Sequence, residues 1–384
     1  MSRLLRLFVL FLGIAALGGV TAQAASPTSD PEVTAQANQW KDLFVLSPST
    51  RQDNELLAVG CSGNRCTAAG IQGGSELSGQ ATVLTMKGAK RRAQAQLIPG
   101  ASLGTLPWDV SCPEPRWCAI VGSVHTPDPS DSTWAVTGSG RRWTRASTPS
   151  PLAGGTTQSY LASVDCQSRD RCVAVGHWFD SLGDTQPMIL KWNGTRWRWV
   201  MRDALPGMSL NEIDCVSATR CLIAANGTYD RFYWLDGRRL TRVSGPRRLQ
   251  NDIGGLSCVS GRWCVASGAW DASEPRLAVI TANRWKQKAV RVNRPTGVFN
   301  GVACVAKNQC LVATSWTENG YLHPAVWQWR GSRTSTVKMP FTLDRVGQAM
   351  AIDCGATRCT TVGQGYIRDG EFMLQGDAYS RPKP

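Results

Sequence analysis

Histidine is scarce in this chain of 384 residues, with three copies, and charged residues make up only 18% of it. The sequence has no G-x-S-x-G, no H-E-x-x-H and no phosphate-binding glycine loop, so it offers no motif of a serine hydrolase, a zinc peptidase or a P-loop nucleotidase. Long helical periodicity is also missing, and no run after the first 24 residues is apolar enough to span a bilayer. These absences point away from helical and membrane-spanning folds.

The first residues have the layout of a secretory signal. Arg3 and Arg6 precede an uncharged, mostly apolar run from Leu7 to Val20, and Ala22-Gln23-Ala24 matches a cleavage site. We therefore expect a secreted, extracellular protein with no membrane span. The predicted organisation is a signal peptide at 1–24, a flexible lead-in at 25–38, and a single domain at 39–384.

Cysteine, by contrast, is abundant and regularly spaced. Its fourteen copies form seven close pairs, and the first cysteines of successive pairs are 43 to 54 residues apart. Self-similarity at such a period is typical of stacked or radial repeats. The pairs are Cys61/Cys66, Cys112/Cys118, Cys166/Cys172, Cys215/Cys221, Cys258/Cys264, Cys304/Cys310 and Cys354/Cys359.

Short β-prone runs surround every cysteine pair in the same order. In five repeats a glycine ends the run after the second cysteine, as in Cys172–Gly176. Two more runs follow, and in the third repeat Asn193-Gly194 joins them, which is a strong hairpin signal. Four antiparallel strands per repeat predict a propeller blade, so the fold expected is an all-β, seven-bladed propeller.

The two ends of the domain complement each other. The seventh repeat has no clear fourth strand after Glu371–Gln375. Residues 39–46, which precede the first repeat, have the pattern of a strand that belongs to no repeat. We expect the N-terminal strand to complete blade seven and so to close the ring.

The cysteine pairs have two chemical interpretations. Bonding across the hairpin between the first and second strands gives one disulfide per blade, each worth about 2 kcal/mol in the chain-entropy model. Zinc would need four ligands per site, whereas each repeat offers two thiols and the chain has three histidines. We therefore predict seven disulfides, no metal site and no cofactor.

The repeat resembles a known group of proteins. Its V-x-C…C-x-A-V-G core and the W-N-G-x-x-W segment at Trp192–Trp197 look like the repeats of secreted actinobacterial β-propeller proteins over residues 39–377. The chain is more distantly similar to the sialidase and kelch/galactose-oxidase propellers. Gly194 and Trp197 match the sialidase turn, with Trp192 at its aspartate position. The first resemblance implies a propeller fold, and the sialidase likeness would imply glycan chemistry.

Propeller topology assigns the turns to two faces. The first-to-second and third-to-fourth strand turns share one face, which we call the basic face because nineteen bases and three acids fall in those turns. A face of one sign attracts polyanions. A dock for an anionic cell-wall polymer such as teichoic acid, for acidic polysaccharide or for extracellular DNA is one interpretation, and solubilising charge is the other. The predicted polyanion residues are Lys90, Arg91, Arg92, Arg141, Arg142, Arg238 and Arg239.

The opposite face, here called the loop face, holds the second-to-third strand loops. Those loops are rich in acids and aromatics and contain all three histidines. The predicted ligand-binding residues are His177, Trp178, Asp180, Trp270 and Trp316, although a tryptophan at such a position can instead pack between blades. Asp180 and Asp184 are the candidate catalytic carboxylates, because glycoside hydrolysis needs a carboxyl pair.

Two functions follow from these patterns. The first is a non-catalytic binding scaffold, expected to be a monomer, for a cell-envelope or extracellular glycan or polyanion. The alternative is a glycan-cleaving propeller enzyme, a sialidase-like glycosidase or a lyase, that uses the loop-face carboxylates.

Overall fold

A computed structural model describes residues 41–42, 45–46, 54–73, 79–87, 93–125, 131–149, 151, 158–202, 205, 207–226, 232–245, 253–270, 274–289, 296–318, 321–331, 333–338, 345–356, 358–367 and 374–382. The predicted signal peptide and lead-in, together with Lys90, Arg91 and Arg92, lie outside this set. Within the described ranges, no helix is long and apolar enough to cross a bilayer.

The described elements are all β-strands, and they follow one another in repeating groups. Two short strands come first: β1 (Lys41–Asp42) and β2 (Val45–Leu46). The next groups are β3 (Asn54–Ser62), β4 (Arg65–Gln72), β5 (Gln80–Lys87), β6 (Ala93–Leu97); β7 (Thr105–Glu114), β8 (Trp117–Val124), β9 (Ser132–Ser139), β10 (Arg142–Arg145); β11 (Ser159–Ser168), β12 (Arg171–Phe179), β13 (Thr185–Trp192), β14 (Trp197–Arg202).

The remaining strands continue the series to the end of the chain. They are β15 (Ser209–Ser217), β16 (Arg220–Asn226), β17 (Phe232–Asp236), β18 (Arg239–Arg242); β19 (Ile253–Ser260), β20 (Trp263–Trp270), β21 (Glu274–Thr281), β22 (Trp285–Ala289); β23 (Thr296–Ala306), β24 (Gln309–Glu318), β25 (Tyr321–Arg330), β26 (Arg333–Lys338); β27 (Arg345–Cys354), β28 (Arg358–Ile367) and β29 (Leu374–Pro382).

These strands form sheets, numbered 1 to 7 in chain order from the one that begins at β3. Six of the sheets have four strands, and sheet 1 has five, in the order β2-β6-β5-β4-β3. The prediction of seven four-stranded blades is therefore wrong in its count, because six sheets meet that description. The all-β propeller with four-stranded antiparallel blades and a disulfide in each is confirmed.

The fifth strand arises because the predicted N-terminal strand divides between two sheets. Its first part, β1, pairs antiparallel with β29 and completes sheet 7, as Lys41 lies opposite Ser380. Its second part, β2, pairs in parallel with β6 of sheet 1, where Val45 lies opposite Ala93. The segment passes two open sheet edges in turn, and unpaired edges favour strand addition. It thereby joins the last sheet to the first.

Hydrophobic clusters between neighbouring sheets hold the ring together. Each cluster takes residues from two consecutive sheets, and one of them joins Leu56 and Val59 of sheet 1 to Val362 of sheet 7. Alternate residues of a strand face opposite sides. Thus Ala174 on β12 packs towards sheet 2, while Val173 and Val175 pack towards sheet 4. The first strands, packed side by side, surround a central channel.

All seven predicted disulfides are confirmed. Each joins the first two strands of one sheet across five or six residues of sequence, with Cα atoms 3.8 to 4.1 Å apart. In sheet 3, Cys166 lies directly opposite Cys172 in the strand register. The predicted Asn193-Gly194 turn is also present, and Asn193 Oδ1 accepts hydrogen bonds from the amides of Thr195 and Arg196.

The second cysteine of every pair is buried, which the sequence spacing did not indicate. These seven side chains lie on the second strands of their sheets and have exposed fractions of 0 to 7%. Their prediction as disulfide partners is confirmed, but their burial removes them from any surface that a ligand could contact. They are therefore structural members of the core rather than site residues: Cys66, Cys118, Cys172, Cys221, Cys264, Cys310 and Cys359.

The repeated glycine faces an irregularity in the neighbouring strand. Gly176 lies opposite Leu161, at a β-bulge between Leu161 and Ser163. The bulge turns the Tyr160 carbonyl oxygen into the space that a Cβ of residue 176 would occupy. Gly70, Gly122 and Gly363 meet a carbonyl in the same way. The glycine is therefore required by a close backbone approach rather than by a turn.

Candidate functional site

The structure supports the assignment of two sets of turns to one face. In sheet 3, the Trp192 indole nitrogen donates to the carbonyl of Arg169, 2.9 Å away, and so ties the third-to-fourth strand turn to the first-to-second. In sheet 4, the amide of Gly237 donates to the carbonyl of Thr219 at 2.7 Å. In each of these two sheets, the two turns of the basic face are therefore in direct contact.

Fifteen basic side chains of the basic face are described, against three acids, Glu114, Asp170 and Asp236. Twelve of the fifteen are exposed to solvent. The bases are Arg65, Arg116, Arg141, Arg142, Arg169, Arg171, Arg196, Arg220, Arg238, Arg239, Arg262, Arg284, Lys307, Arg330 and Arg358.

Two of the three acids are occupied by ion pairs on this face. Glu114 in sheet 2 contacts Arg169 in sheet 3 at 2.7 Å, and Asp236 binds Arg220 through both carboxylate oxygens at 2.7 and 2.9 Å. Arg220 also lies over the Trp234 ring, with Cζ 4.4 Å from its centroid. The acids thus neutralise few of the bases, and most of the basic side chains still face solvent.

Four of the predicted polyanion residues stand at the tips of turns. Arg141 and Arg142 follow Gly140 in sheet 2, and Arg238 and Arg239 follow Gly237 in sheet 4; all four side chains are exposed. Both glycines have positive φ, 57° and 63°, which gives each turn its tight reversal. A short turn projects the following side chains away from the sheet.

On the loop face the structure brings together residues from sheets 2 and 3. His125 Nδ1 lies 3.2 Å from Asp131 Oδ2, and the Tyr160 hydroxyl donates to the same oxygen at 2.8 Å. The Tyr160 ring centroid is 5.2 Å from that of His177 and 6.3 Å from that of Phe179. We call these five residues the histidine cluster.

Two buried imidazole nitrogens of the histidine cluster, His125 Nε2 and His177 Nδ1, have no hydrogen-bond partner among the residues that the structure describes. Burial lowers the pKa of His177, because a charged imidazole loses its hydration there. The predicted residue His177 thus belongs to a local group whose other members come from separate strands. Sequence patterns missed Tyr160, which lies directly opposite His177 in the register of β11 and β12.

The other predicted loop-face residues have different surroundings. Trp178 is 7% exposed and packs with Met188 and Leu190 in the cluster between sheets 2 and 3, since it faces the opposite side of β12 from His177. Trp270 is the last residue of β20 and lies opposite Glu274, and Trp316 lies two residues before the end of β24, opposite His323. The side chains of both tryptophans are outside the described set.

The carboxylate of Asp180 is engaged by its own loop. It accepts hydrogen bonds from the Gln186 side chain and from the amides of Leu182 and Asp184, at 2.9 to 3.0 Å. The Gln186 contact, followed by that with the Asp184 amide, lowers the pKa of Asp180. Asp184 itself is exposed. This arrangement stabilises a tight loop.

The central channel contains a feature that sequence analysis missed. Five carboxyl groups lie on the first strands, where burial raises the pKa of each: Asp109, Asp165, Glu212, Asp214 and Asp353. Four of them line a cavity of about 220 Å³ at the disulfide end of the channel. A sequence signal did exist, because each lies one or three positions before the first cysteine of its repeat.

The polar residue before the first cysteine bridges to the next sheet in five places. Its side chain accepts a hydrogen bond from the amide of the following repeat's first cysteine. The bridges are Ser111 to Cys166 (3.0 Å), Asp165 to Cys215 (2.8 Å), Asp214 to Cys258 (3.0 Å), Ser257 to Cys304 (2.9 Å) and Asp353 to Cys61 (2.7 Å). We call these contacts the channel bridges.

Comparisons with solved structures support the propeller fold through the matches to YCF48. No family model and no curated protein matches the chain. Among solved structures, YCF48 bound to D1 peptide matches with a TM-score of 0.53 and 9% identity, covering 90% of this chain and 96% of that one. YCF48 from Cyanidioschyzon merolae matches with a TM-score of 0.52 and 11% identity, over 89% and 98% of the chains. A fucose-specific lectin from Aleuria aurantia matches with a TM-score of 0.45 and 12% identity, covering 75% of this chain and 96% of that one.

Proposed function

We propose that this chain is a secreted binding scaffold that docks an anionic polymer or acidic glycan of the cell envelope on its basic face. The observation that carries the proposal is the excess of fifteen bases over three acids among the described turns of one face. Charges of one sign on a surface raise the local concentration of an oppositely charged partner and speed its association.

The rigid backbone of the turns that carry these arginines favours a role in binding a ligand over a role in solubility alone. Arg141, Arg142, Arg238 and Arg239 extend from short turns between paired strands. Their backbones are held by the sheet, so less conformational entropy is lost when a ligand is bound. Guanidinium groups also suit phosphate, sulfate and carboxylate because they donate two parallel hydrogen bonds to each anion.

Export and a monomeric state are further parts of the proposal. The basic, apolar and small-residue order of residues 1–24 is that of a signal peptide. The chain's disulfides fit an oxidising compartment, since such bonds are rare in reducing cytoplasm.

Heparin, a sulfated polymer, serves as the probe. Changing Arg141, Arg142, Arg238 and Arg239 to Gln should lower the salt concentration that elutes the protein from a heparin column by roughly one third or more, because four exposed charges leave the face. The measurement is elution in a linear salt gradient, with folding checked by circular dichroism.

The control removes the same net charge from the outer strands. Arg145, Arg198, Arg242 and Lys286 are exposed there, and their replacement by Gln should shift elution by less than half as much. Equal shifts for the two variants would mean that net charge alone governs retention, and the basic-face proposal would be abandoned.

The glycan-cleaving alternative gains no specific support from the loop-face carboxylates on which it was based. A general acid in a glycosidase needs a raised pKa, whereas the loop contacts lower the pKa of Asp180. Its carboxylate is also committed to three hydrogen bonds with its own loop. The binding scaffold is therefore the function that the geometry favours.

A further inference from the structure

The channel carboxyls sit where the sheets meet, so their protonation bears directly on the closure of the ring. Asp109 Oδ2 accepts hydrogen bonds from Ser163 Oγ and from the Val164 amide, both at 2.8 Å and both in sheet 3. Ser163 Oγ in turn accepts from the Ile213 amide in sheet 4 at 3.2 Å. Together with the channel bridges, these contacts join consecutive sheets near the axis.

Two further junctions are made without an acid. Between sheets 6 and 7, Asn300 Nδ2 donates to the carbonyl of Ala349 at 2.7 Å. Between sheets 1 and 2, Gly60 permits close approach, because a Cβ there would crowd the Val110 carbonyl oxygen. The acids are thus concentrated in sheets 2, 3, 4 and 7, where they share one narrow space.

The titratable groups that line the central cavity are all acidic. Among the described residues that line the cavity, Asp109, Asp165, Asp214 and Asp353 are the titratable groups, since the cysteines are bridged, and no Lys, Arg or His is present. Glu212 joins them from β15, two residues before Asp214, and its pKa responds to Asp109 and Asp214. No base in this lining offsets their mutual repulsion.

Burial raises the pKa of every one of the five carboxyls, and repulsion from neighbouring carboxylates adds to the rise for all of them except Asp165. Loss of hydration is the larger cause in each case, and it raises the pKa values of Asp109 and Asp353 from 3.8 to about 6 despite their hydrogen bonds. The pKa of Glu212 and that of Asp214 rise well above their usual range. The folded ring therefore holds protons at a pH where the unfolded chain has released them.

We propose that the channel carboxyls form a proton-operated clamp, in which protons bound at acidic pH remove the repulsion between neighbouring carboxylates and so stabilise the closed ring, and in which their release at alkaline pH restores that repulsion and destabilises it. This clamp is independent of the basic face, because the two features share no residue.

The direction follows from linkage. A group with a raised folded pKa contributes stability that is full below its unfolded pKa and is lost as the pH rises through its folded pKa. Proton release from Asp109 and Asp353 should therefore lower the apparent Tm by roughly 4 °C between pH 5 and pH 8. This figure combines about 1.4 kcal/mol per pKa unit with the unfolding entropy of a domain of this size. Glu212 and Asp214 add to this fall.

His177 acts in the opposite direction, since its lowered pKa costs stability as the pH falls below its usual value. A comparison of variants cancels this effect because His177 is the same in all of them. The most informative substitution is Glu212→Gln, which removes a charge while keeping the side chain's size. Unlike Asp165 or Asp353, Glu212 forms none of the channel bridges.

The experiment records thermal unfolding of wild type, Glu212→Gln and the exposed loop control Asp184→Asn from pH 5 to pH 8. We expect the Tm of wild type and of the control to fall together with rising pH. The Tm of Glu212→Gln should fall at least 2 °C less and should exceed that of wild type at pH 8.

Amide hydrogen exchange on wild type supplies a second test that needs no variant. After correction for the intrinsic pH dependence of exchange, protection of the Cys215 and Cys258 amides should decrease at least threefold from pH 5 to pH 8. A Glu212→Gln profile parallel to wild type, or protection that stays constant over this range, would overturn the clamp. If Glu212→Gln does not fold, the exchange measurement on wild type alone decides whether the clamp exists.

Discussion

Reduction of the seven disulfides should leave the chain largely unfolded at 37 °C. Each bridge closes a loop of five or six residues, worth about 2 kcal/mol in the chain-entropy model, so the seven together contribute up to roughly 15 kcal/mol. Folded domains are stable by only about 5–15 kcal/mol in total. Since the second cysteine of each bridge is buried, as at Cys172 and Cys264, reduction must be carried out in denaturant before dilution into native buffer.

The measurement is the urea concentration at the midpoint of unfolding, compared between the oxidised protein and the reduced protein with its thiols left unmodified. The control is the double variant Cys258→Ala, Cys264→Ala, which should lose about 2 kcal/mol because a single bridge is removed. A reduced protein with the midpoint of the oxidised one would show that strand pairing alone secures the ring.

Gly176→Ala should cost about 3 kcal/mol, the second-largest effect we expect. Its new Cβ would overlap the Tyr160 carbonyl oxygen, which the bulge at Leu161 holds in place. The overlap involves main-chain atoms, so relief requires a shift of two packed strands rather than of one side chain. Equilibrium unfolding in urea measures the loss.

The chain carries its own control for this substitution. Ala225 occupies the corresponding place in sheet 4, opposite Leu210 at the matching bulge, so that sheet already accommodates a Cβ. Ala225→Gly should therefore cost about 1 kcal/mol, mostly through the greater freedom of glycine in the unfolded chain. Similar losses for the two substitutions would remove the steric explanation of the repeated glycine.

Sequence patterns predicted the repeating sheet with good precision because the constraints are local. A cysteine pair across a hairpin, and Asn193-Gly194 between two β-prone runs, determine their own neighbours through short-range geometry. The division of residues 39–46 between β1 and β2 was not predictable. It depends on two sheet edges that become neighbours only after the ring has closed.

The sites were predicted unevenly for a similar reason. Turn residues such as Arg141 and Arg238 follow directly from strand order, since topology alone assigns them a face. The channel carboxyls Asp109 and Asp353 are 244 residues apart in sequence, and only the closed ring brings them together. Trp178 and His177 are adjacent in sequence, but strand alternation sends one into the core and the other to the histidine cluster.

The central functional claim is that the basic face binds a polyanion through its own arginines, and the salt dependence of binding tests it most directly. A duplex DNA of about 20 base pairs provides a polyanion of known charge spacing, and its affinity is measured by fluorescence anisotropy over a series of salt concentrations. Each phosphate contact adds about 0.9 to the slope of log affinity against log salt. Removing Arg141, Arg142, Arg238 and Arg239 should therefore lower that slope by roughly 2 to 4, while the outer-strand variant keeps the slope of wild type. Equal slopes for all three proteins, or no binding at low salt, would contradict the claim.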